Sequence, residues 1–260
     1  MIKPSVLSLF IILAFSFQSS AKSDELSIQW LGEKPNIAQR VAAEIKTLSA
    51  AARSLCGAPV SPLTVVLYVP ERLASKPVGG ARLGKAFIVI DPHSPPFQRR
   101  EMVAHEIAHL YLDGGRPPKD TDPLQEAFAQ AATLLLLKRS GYLSSFRALR
   151  GLLARRLLTH KAVKVSGDFY RYVYLPAALL AASKRVGLQK LISSYKQSKG
   201  DVRRFVSLVK DNELEEVLTS RATSPRSLLR ALYQPSSSLV STPRSRASSD
   251  TESAPRSFRD

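Results

Sequence analysis

The chain has a single cysteine, Cys56, among 260 residues. No intramolecular disulfide can therefore hold its fold, and metal sites of four cysteines, or of two cysteines and two histidines, are excluded. Acidic residues are scarce: 21 Asp and Glu stand against 38 Lys and Arg, a formal charge of +17. Such a field attracts polyanions of any kind, whether nucleic acid, acidic headgroups or acidic cell-wall polymer, without choosing among them. Histidine is rarer still, with four in the chain. There is no internal repeat, and no apolar stretch reaches the roughly 20 residues of a bilayer span. The stretch 127–137 is interrupted by Gln130 and Thr133 and stops at Lys138-Arg139, as a core helix does. What is present is 44% apolar and 23% charged residues, a globular balance with length enough for one well-buried domain.

The first 21 residues have the three-part layout of a secretory signal peptide. Met1-Ile2-Lys3-Pro4 is a short positive region, 6–17 is an apolar run, and Ser19 and Ala21 put small residues at −3 and −1 of a cleavage site. The pattern predicts an exported protein, periplasmic or secreted in a bacterium, with no membrane span left after cleavage. A lone thiol is compatible with that compartment, and packing is the expected role of Cys56. Export removes most grounds for gene regulation despite the charge. Neither a recognition motif nor aromatic interleaving points to specific nucleic-acid binding.

Residues 22–61 read as a polar lead-in with a strand-like touch at Leu26-Ser27-Ile28, then a helix from an Asn36 cap to about Leu55. Residues 63–69 and 86–90 are β-branched, aromatic runs that predict strands, and the glycines of 76–84 predict a turn or hairpin between them. A helix is expected over about 98–112, stopped by Asp113-Gly114-Gly115. The next start is well signalled, with Asp122 as N-cap, Pro123 at the first position and Gln125 completing a capping box. Helices follow over about 144–160, 168–186, 188–196, 201–210 and 213–218, with a kink or boundary at Pro176. From 221 to 260 there are 11 Ser, 7 Arg and 4 Pro against 3 acids, a Ser/Arg-rich tail expected to be disordered from about 235.

The sharpest signal is His105-Glu106-Ile107-Ala108-His109. Residues four apart on a helix share a face, so both imidazoles can reach one ion, while Glu106 points about 100° around, toward the ion's open position. There its carboxylate can serve as general base toward water. The flanking Met102, Val103, Ile107, Ala108 and Leu110 are apolar, so polar groups on this helix need a reason to be there. A catalytic zinc takes a third protein ligand. Asp113, Asp120, Asp122, Glu126 and His93 are the candidates, and Glu126 is favoured because an unpaired carboxylate on an otherwise apolar helix is costly to bury. An oxyanion donor is also needed. In Phe169-Tyr170-Arg171-Tyr172-Val173-Tyr174, Tyr170 and Tyr174 share one helix face, with Tyr172 roughly opposite, so one set at most can line a cleft; Tyr170 and Tyr174 are taken forward. His160 is read as a helix-end residue.

With these residues in place, the chain resembles a gluzincin zinc metallopeptidase, and more narrowly the bacterial peptidase MA-like group. There a two-histidine helix is followed by a loop and a helix opening on an E-G-x-A-E-Y-like motif, here Glu126-Ala127-Phe128-Ala129-Gln130-Ala131. The segment 169–180 and Gly187-Leu188-Gln189-Lys190-Leu191-Ile192 are similar to a later helical part of that family. The resemblance implies an α+β, zincin-like fold over 62–220, a small sheet packed on the active-site helix followed by a mainly helical part. It implies that His105, His109 and Glu126 bind one zinc ion per chain and that Glu106 is the general base. It also implies that 86–90 forms the upper edge of the cleft, where an extended peptide can add as a strand. Two departures stand out. Gln130 replaces the acid that orients a histidine in related enzymes, and an amide raises ligand basicity less. The loop before Glu126 lacks the usual tryptophan and carries Arg116-Pro117-Pro118-Lys119.

The expected function is therefore an exported zinc peptidase acting on a peptide or protein, with the basic surface and tail in electrostatic contact with anionic envelope polymer or lipid. The rival readings are a zinc amidase of cell-wall peptide and a non-catalytic zincin-like module in the envelope.

Overall fold

A computed structural model of the chain describes residues 26–31, 36–59, 62–68, 79–82, 84–89, 94–115, 123–159, 168–219 and 225–233. The expected signal peptide, the tail beyond 233, His93, Asp120, Asp122, His160 and the loop 116–122 lie outside the described residues.

Strand β1 (Ser27–Leu31) leads into helix α1 (Ala38–Cys56), which crosses to β2 (Thr64–Tyr68), a parallel neighbour of β1. A parallel pair needs such a crossover, and α1 supplies it with Val41, Ile45, Leu48, Ala52 and Leu55 turned inward on the spacing its sequence predicts. The N-cap is Ile37 and no side chain caps it, so the Asn36 cap is not made. Asn36 stands one residue too early for its amide to meet the first free N–H groups. At the other end Lys196 Nζ donates to Cys56 O at 2.6 Å. Burial pushes the Cys56 thiol up to about 11, against a smaller opposing pull from the Lys196 charge. The thiol is a packing group.

Strands β3 (Gly79–Arg82) and β4 (Lys85–Val89) form an antiparallel hairpin, and the sheet order is β1-β2-β4-β3. This corrects the expected cleft edge. Strand β4 is paired on both sides, to β2 in parallel and to β3 in antiparallel, so among the described residues the sheet's edges are β1 and, next to β4, β3. The glycine-rich stretch read as a turn or hairpin forms the hairpin, its pairing with β4 outweighing the low strand propensity of glycine.

Helix α2 (Pro96–Asp113) carries the two-histidine motif. It ends at Gly114 and Gly115, both at positive φ (70° and 69°), where L side chains are strained. Gly115 N donates to His109 O at 3.2 Å, closing the helix end. Gly84, in the β3–β4 turn, donates its N–H to Gly114 O at 2.8 Å and accepts from Thr64 N at 3.0 Å. The hairpin is thus hydrogen-bonded to the end of the motif helix.

Helices α3 (Pro123–Arg139) and α4 (Leu143–Thr159) follow, then a π-helical turn (Tyr170–Tyr174) running into α5 (Leu175–Val186). Leu175 N bonds to Tyr170 O, five residues back. Pro176 has no N–H to give the carbonyl of Tyr172, and the widened turn takes up that missing bond. Helices α6 (Leu188–Ser198), α7 (Val202–Val209), α8 (Asn212–Thr219) and α9 (Pro225–Tyr233) complete the described chain. Asp201 caps α7 by accepting from Arg204 N at 2.9 Å. Helix α9 lies inside the segment read as tail, and buries Leu228 and Leu232. The fold is α+β: a small sheet packed on the motif helix, followed by a mainly helical part.

Behind the motif helix, Glu44 of α1 accepts from Arg99 Nε and Nη2 at 3.1 and 3.2 Å and from Arg100 Nε at 2.8 Å. The Glu44 and Arg99 side chains are 4% and 5% exposed, so cutting the pair strands a buried guanidinium. Glu44→Ala is expected to lower the unfolding free energy by about 3–5 kcal/mol, measured as a lower urea midpoint with unchanged slope.

Candidate metal centre

Helix α2 places His105 and His109 one turn apart, and helix α3 returns antiparallel after the loop to bring Glu126 against them. Glu126 Oε2 lies 3.2 Å from His105 Nε2 and 3.5 Å from His109 Nε2, and the two Nε2 atoms are 3.2 Å apart. Their rings stand nearly perpendicular, at 81°. His105 and Glu126 are each 16% exposed at the side chain and His109 is 7% exposed, so the cluster is largely buried without being sealed from solvent.

Two nitrogen lone pairs and a carboxylate oxygen facing one another this closely demand positive charge among them. Burial alone would depress His109, but the carboxylates of Asp113 and Glu126 overcome it and push the imidazole up to about 10. Burial would raise Glu126, but its bonds to His105 and His109 bring it far below the usual carboxylate range. The donor set, two imidazoles and a carboxylate, is one that zinc takes, and a tetrahedral ion bonded at ~2.0–2.1 Å would hold its ligand atoms about 3.3 Å apart. Among the described residues these three form the only group of His, Cys, Asp or Glu able to hold a metal ion.

Glu106 is 6% exposed and lies close enough to His105, His109, Glu126 and Asp113 to feel their charges. Its Oε2 is buried without a hydrogen-bond partner among the described residues. A buried carboxylate oxygen left without such a partner is uncommon and calls for a reason. Burial pushes the Glu106 carboxyl up, while the charges of His105 and His109 pull it back.

Each imidazole has an outer partner. His105 Nδ1 lies 3.1 Å from Gln130 Oε1, the partner implied by the resemblance. Gln130 is in turn hydrogen-bonded to Glu101, one turn before His105. The amide therefore stands between the imidazole and a carboxylate, which supplies charge that Gln130 itself lacks. His109 Nδ1 lies 3.5 Å from Asp113 Oδ2. Asp113 also accepts from Gly115 N at 3.0 Å and from the Tyr195 hydroxyl at 3.3 Å. Weighed as a third ligand, Asp113 instead orients the far nitrogen of the second histidine.

The tyrosines distribute otherwise than expected. Tyr170 and Tyr174 stack on each other inside the core, 1% and 0% exposed, and the Tyr170 hydroxyl donates to Val217 O at 3.2 Å. The site receives the opposite face of the π-helical turn: the Tyr172 ring centroid lies 6.5 Å from that of His105. Burial, the negative charges of Glu126 and Asp168 and a hydrogen bond to Glu126 push the Tyr172 phenol up to about 12. Both faces of this segment are aromatic, so sequence alone had nothing to choose between them. Asp113, four residues after His109, and Glu101, four before His105, were open to the same spacing argument as the histidines.

Residues 67–159 match the Peptidase_M78 family, described as the IrrE N-terminal-like domain. The matched stretch holds His105, Glu106, His109, Glu126 and Gln130 and ends before the tyrosines. The chain is also similar in fold to two solved structures of an M1 zinc metallopeptidase from Deinococcus radiodurans, both of an E323A mutant. One has a TM-score of 0.54 at 16% identity, covering 82% of this chain and 51% of that one. The other, bound to a Tyr-Ser-Ala substrate, has a TM-score of 0.51 at 15% identity, covering 82% and 50%. The chain spans about half the length of these structures. No curated protein gives a significant match. Together, the family match and the fold give the chain a gluzincin-type zinc peptidase resemblance.

Removing an outer partner should loosen the metal without unfolding the helix. Asp113→Asn and Gln130→Leu are each expected to weaken zinc binding by about 10–100-fold, read by chelator competition with the helical circular dichroism unchanged.

Proposed function

We propose that this protein is an exported zinc-dependent peptidase, with His105, His109 and Glu126 as ligands of one ion and Glu106 as general base. The observation that carries the reading is the convergence of three donor atoms 3.2–3.5 Å apart beside a buried Glu106 oxygen with no partner among the described residues. Zinc in such a site supplies Lewis acidity, lowering the pKa of water and polarising a carbonyl.

The chain's own residues do the rest. Glu106, its carboxyl raised by burial, takes the proton of the attacking water and delivers it to the leaving nitrogen. Gln130 and Asp113 hold the imidazoles with their Nε2 atoms inward. Tyr172 keeps its proton at neutral pH and is the donor at hand for the developing oxyanion, in place of Tyr170 and Tyr174. Strand β3, unpaired on its outer side among the described residues, offers backbone groups to an extended peptide. Export rests on the sequence of residues 1–21; among the described residues no helix is long and apolar enough to cross a membrane.

Glu106→Gln should retain one zinc per chain while peptide hydrolysis falls by about 10²–10⁴-fold, measured by metal analysis and cleavage of a peptide library. Undiminished cleavage by that variant would refute the assigned base. Tyr172→Phe is expected to lower kcat by about 10²-fold with little change in KM, and Tyr170→Phe to leave both nearly unchanged.

A further inference from the structure

Helix α4 carries four arginines, Arg147, Arg150, Arg155 and Arg156, and no acidic residue. It buries Leu149, Leu153 and Leu157 against the core. The opposite face shows solvent Arg147, Leu152, Arg155 and Leu158. Leu152 is 39% exposed and Leu158 is 70% exposed. A single exposed leucine needs no explanation. Two leucines interleaved with arginines that make no ion pair among the described residues form a pattern that core packing does not account for. Beside this helix Tyr233 of α9 is 54% exposed, with the Arg150 guanidinium 4.8 Å from its ring centroid.

We propose that this face of α4 docks the protein on an anionic lipid bilayer. Leu152 and Leu158 enter the boundary between headgroups and acyl chains, and Arg147 and Arg155 pair with lipid phosphates. The charge of the face selects an anionic surface, and the whole chain, at +17, adds to the attraction. The leucines discriminate between sources of negative charge: a soluble acidic polymer engages arginine alone and leaves leucine in water, whereas a bilayer takes both. Tyr233 adds an amphipathic ring at the rim, a residue type suited to that boundary. None of these side chains belongs to the metal cluster, so the inference stands or falls apart from the peptidase reading.

The test is co-sedimentation of the purified chain with vesicles of equal parts phosphatidylglycerol and phosphatidylcholine, against vesicles of phosphatidylcholine alone. Binding is expected to the anionic vesicles and to weaken in about 0.5 M salt. The pair Arg147→Gln and Arg155→Gln should lower the partition coefficient by about 25-fold, near fivefold per arginine. Leu158→Gln alone should lower it by about tenfold, with the thermal midpoint unchanged because the side chain is exposed. Equal binding to both vesicle types would overturn the proposal, as would arginine variants that bind like the parent. Loss on the arginine change with none on Leu158→Gln would also overturn it, leaving attraction to polyanions in general.

Discussion

Two imidazole nitrogens and a carboxylate oxygen sit 3.2–3.5 Å apart in a largely buried cluster, and such a group is stable only with positive charge in its midst. The helix pair α2–α3 imposes that constraint, and much of the surrounding structure serves it. The buried Glu44–Arg99 pair ties the start of α2 to α1. The glycines at its far end return the chain onto the His109 carbonyl and link to the β3–β4 turn. Through these contacts the sheet, the crossover helix and the motif helix fix one another and hold the helix turns that carry the donor atoms.

The two histidines are held differently. His109 faces the carboxylate of Asp113, itself positioned by Tyr195 and by the backbone of Gly115. His105 faces the neutral amide of Gln130, with Glu101 standing behind it. One imidazole thus meets full charge directly and the other through an intermediary. Tyr195 comes from α6, and its ring stacks on Phe128 of α3 at 4.2 Å, so the late helices take part in holding a site whose donors come from α2 and α3. This is the physical reason for a helical part well beyond the stretch that matches the peptidase family.

The π-helical turn has a comparable role. Pro176 cannot complete the ordinary helical ladder, and the wider turn before it leaves Tyr172 against the site while Tyr170 and Tyr174 fill the core. A proline that reads as a helix break is, in the folded chain, what sets the turn from which the site's tyrosine is presented. The basic face of α4 lies on another side chemically, built from exposed leucine and arginine rather than buried donors.

What the sequence determined by itself is local. His105, Glu106 and His109 fall within one helical turn and a third, so their relation follows from helix geometry and needs no partner. The terminators Gly114 and Gly115, the strand runs and the inward spacing of α1 are local in the same sense. Glu126 was reachable by asking why an apolar helix keeps a carboxylate, but its distance to the histidines belongs to the packing of two helices. Tertiary structure alone decided the rest. It made β3 rather than β4 a sheet edge, turned Tyr172 rather than Tyr170 and Tyr174 to the site, and set Asp113 behind His109. It also drew α9 out of a segment that reads as tail. Each of these is a choice between faces or neighbours of equal local merit, and such choices are settled by which surface the remainder of the chain can bury.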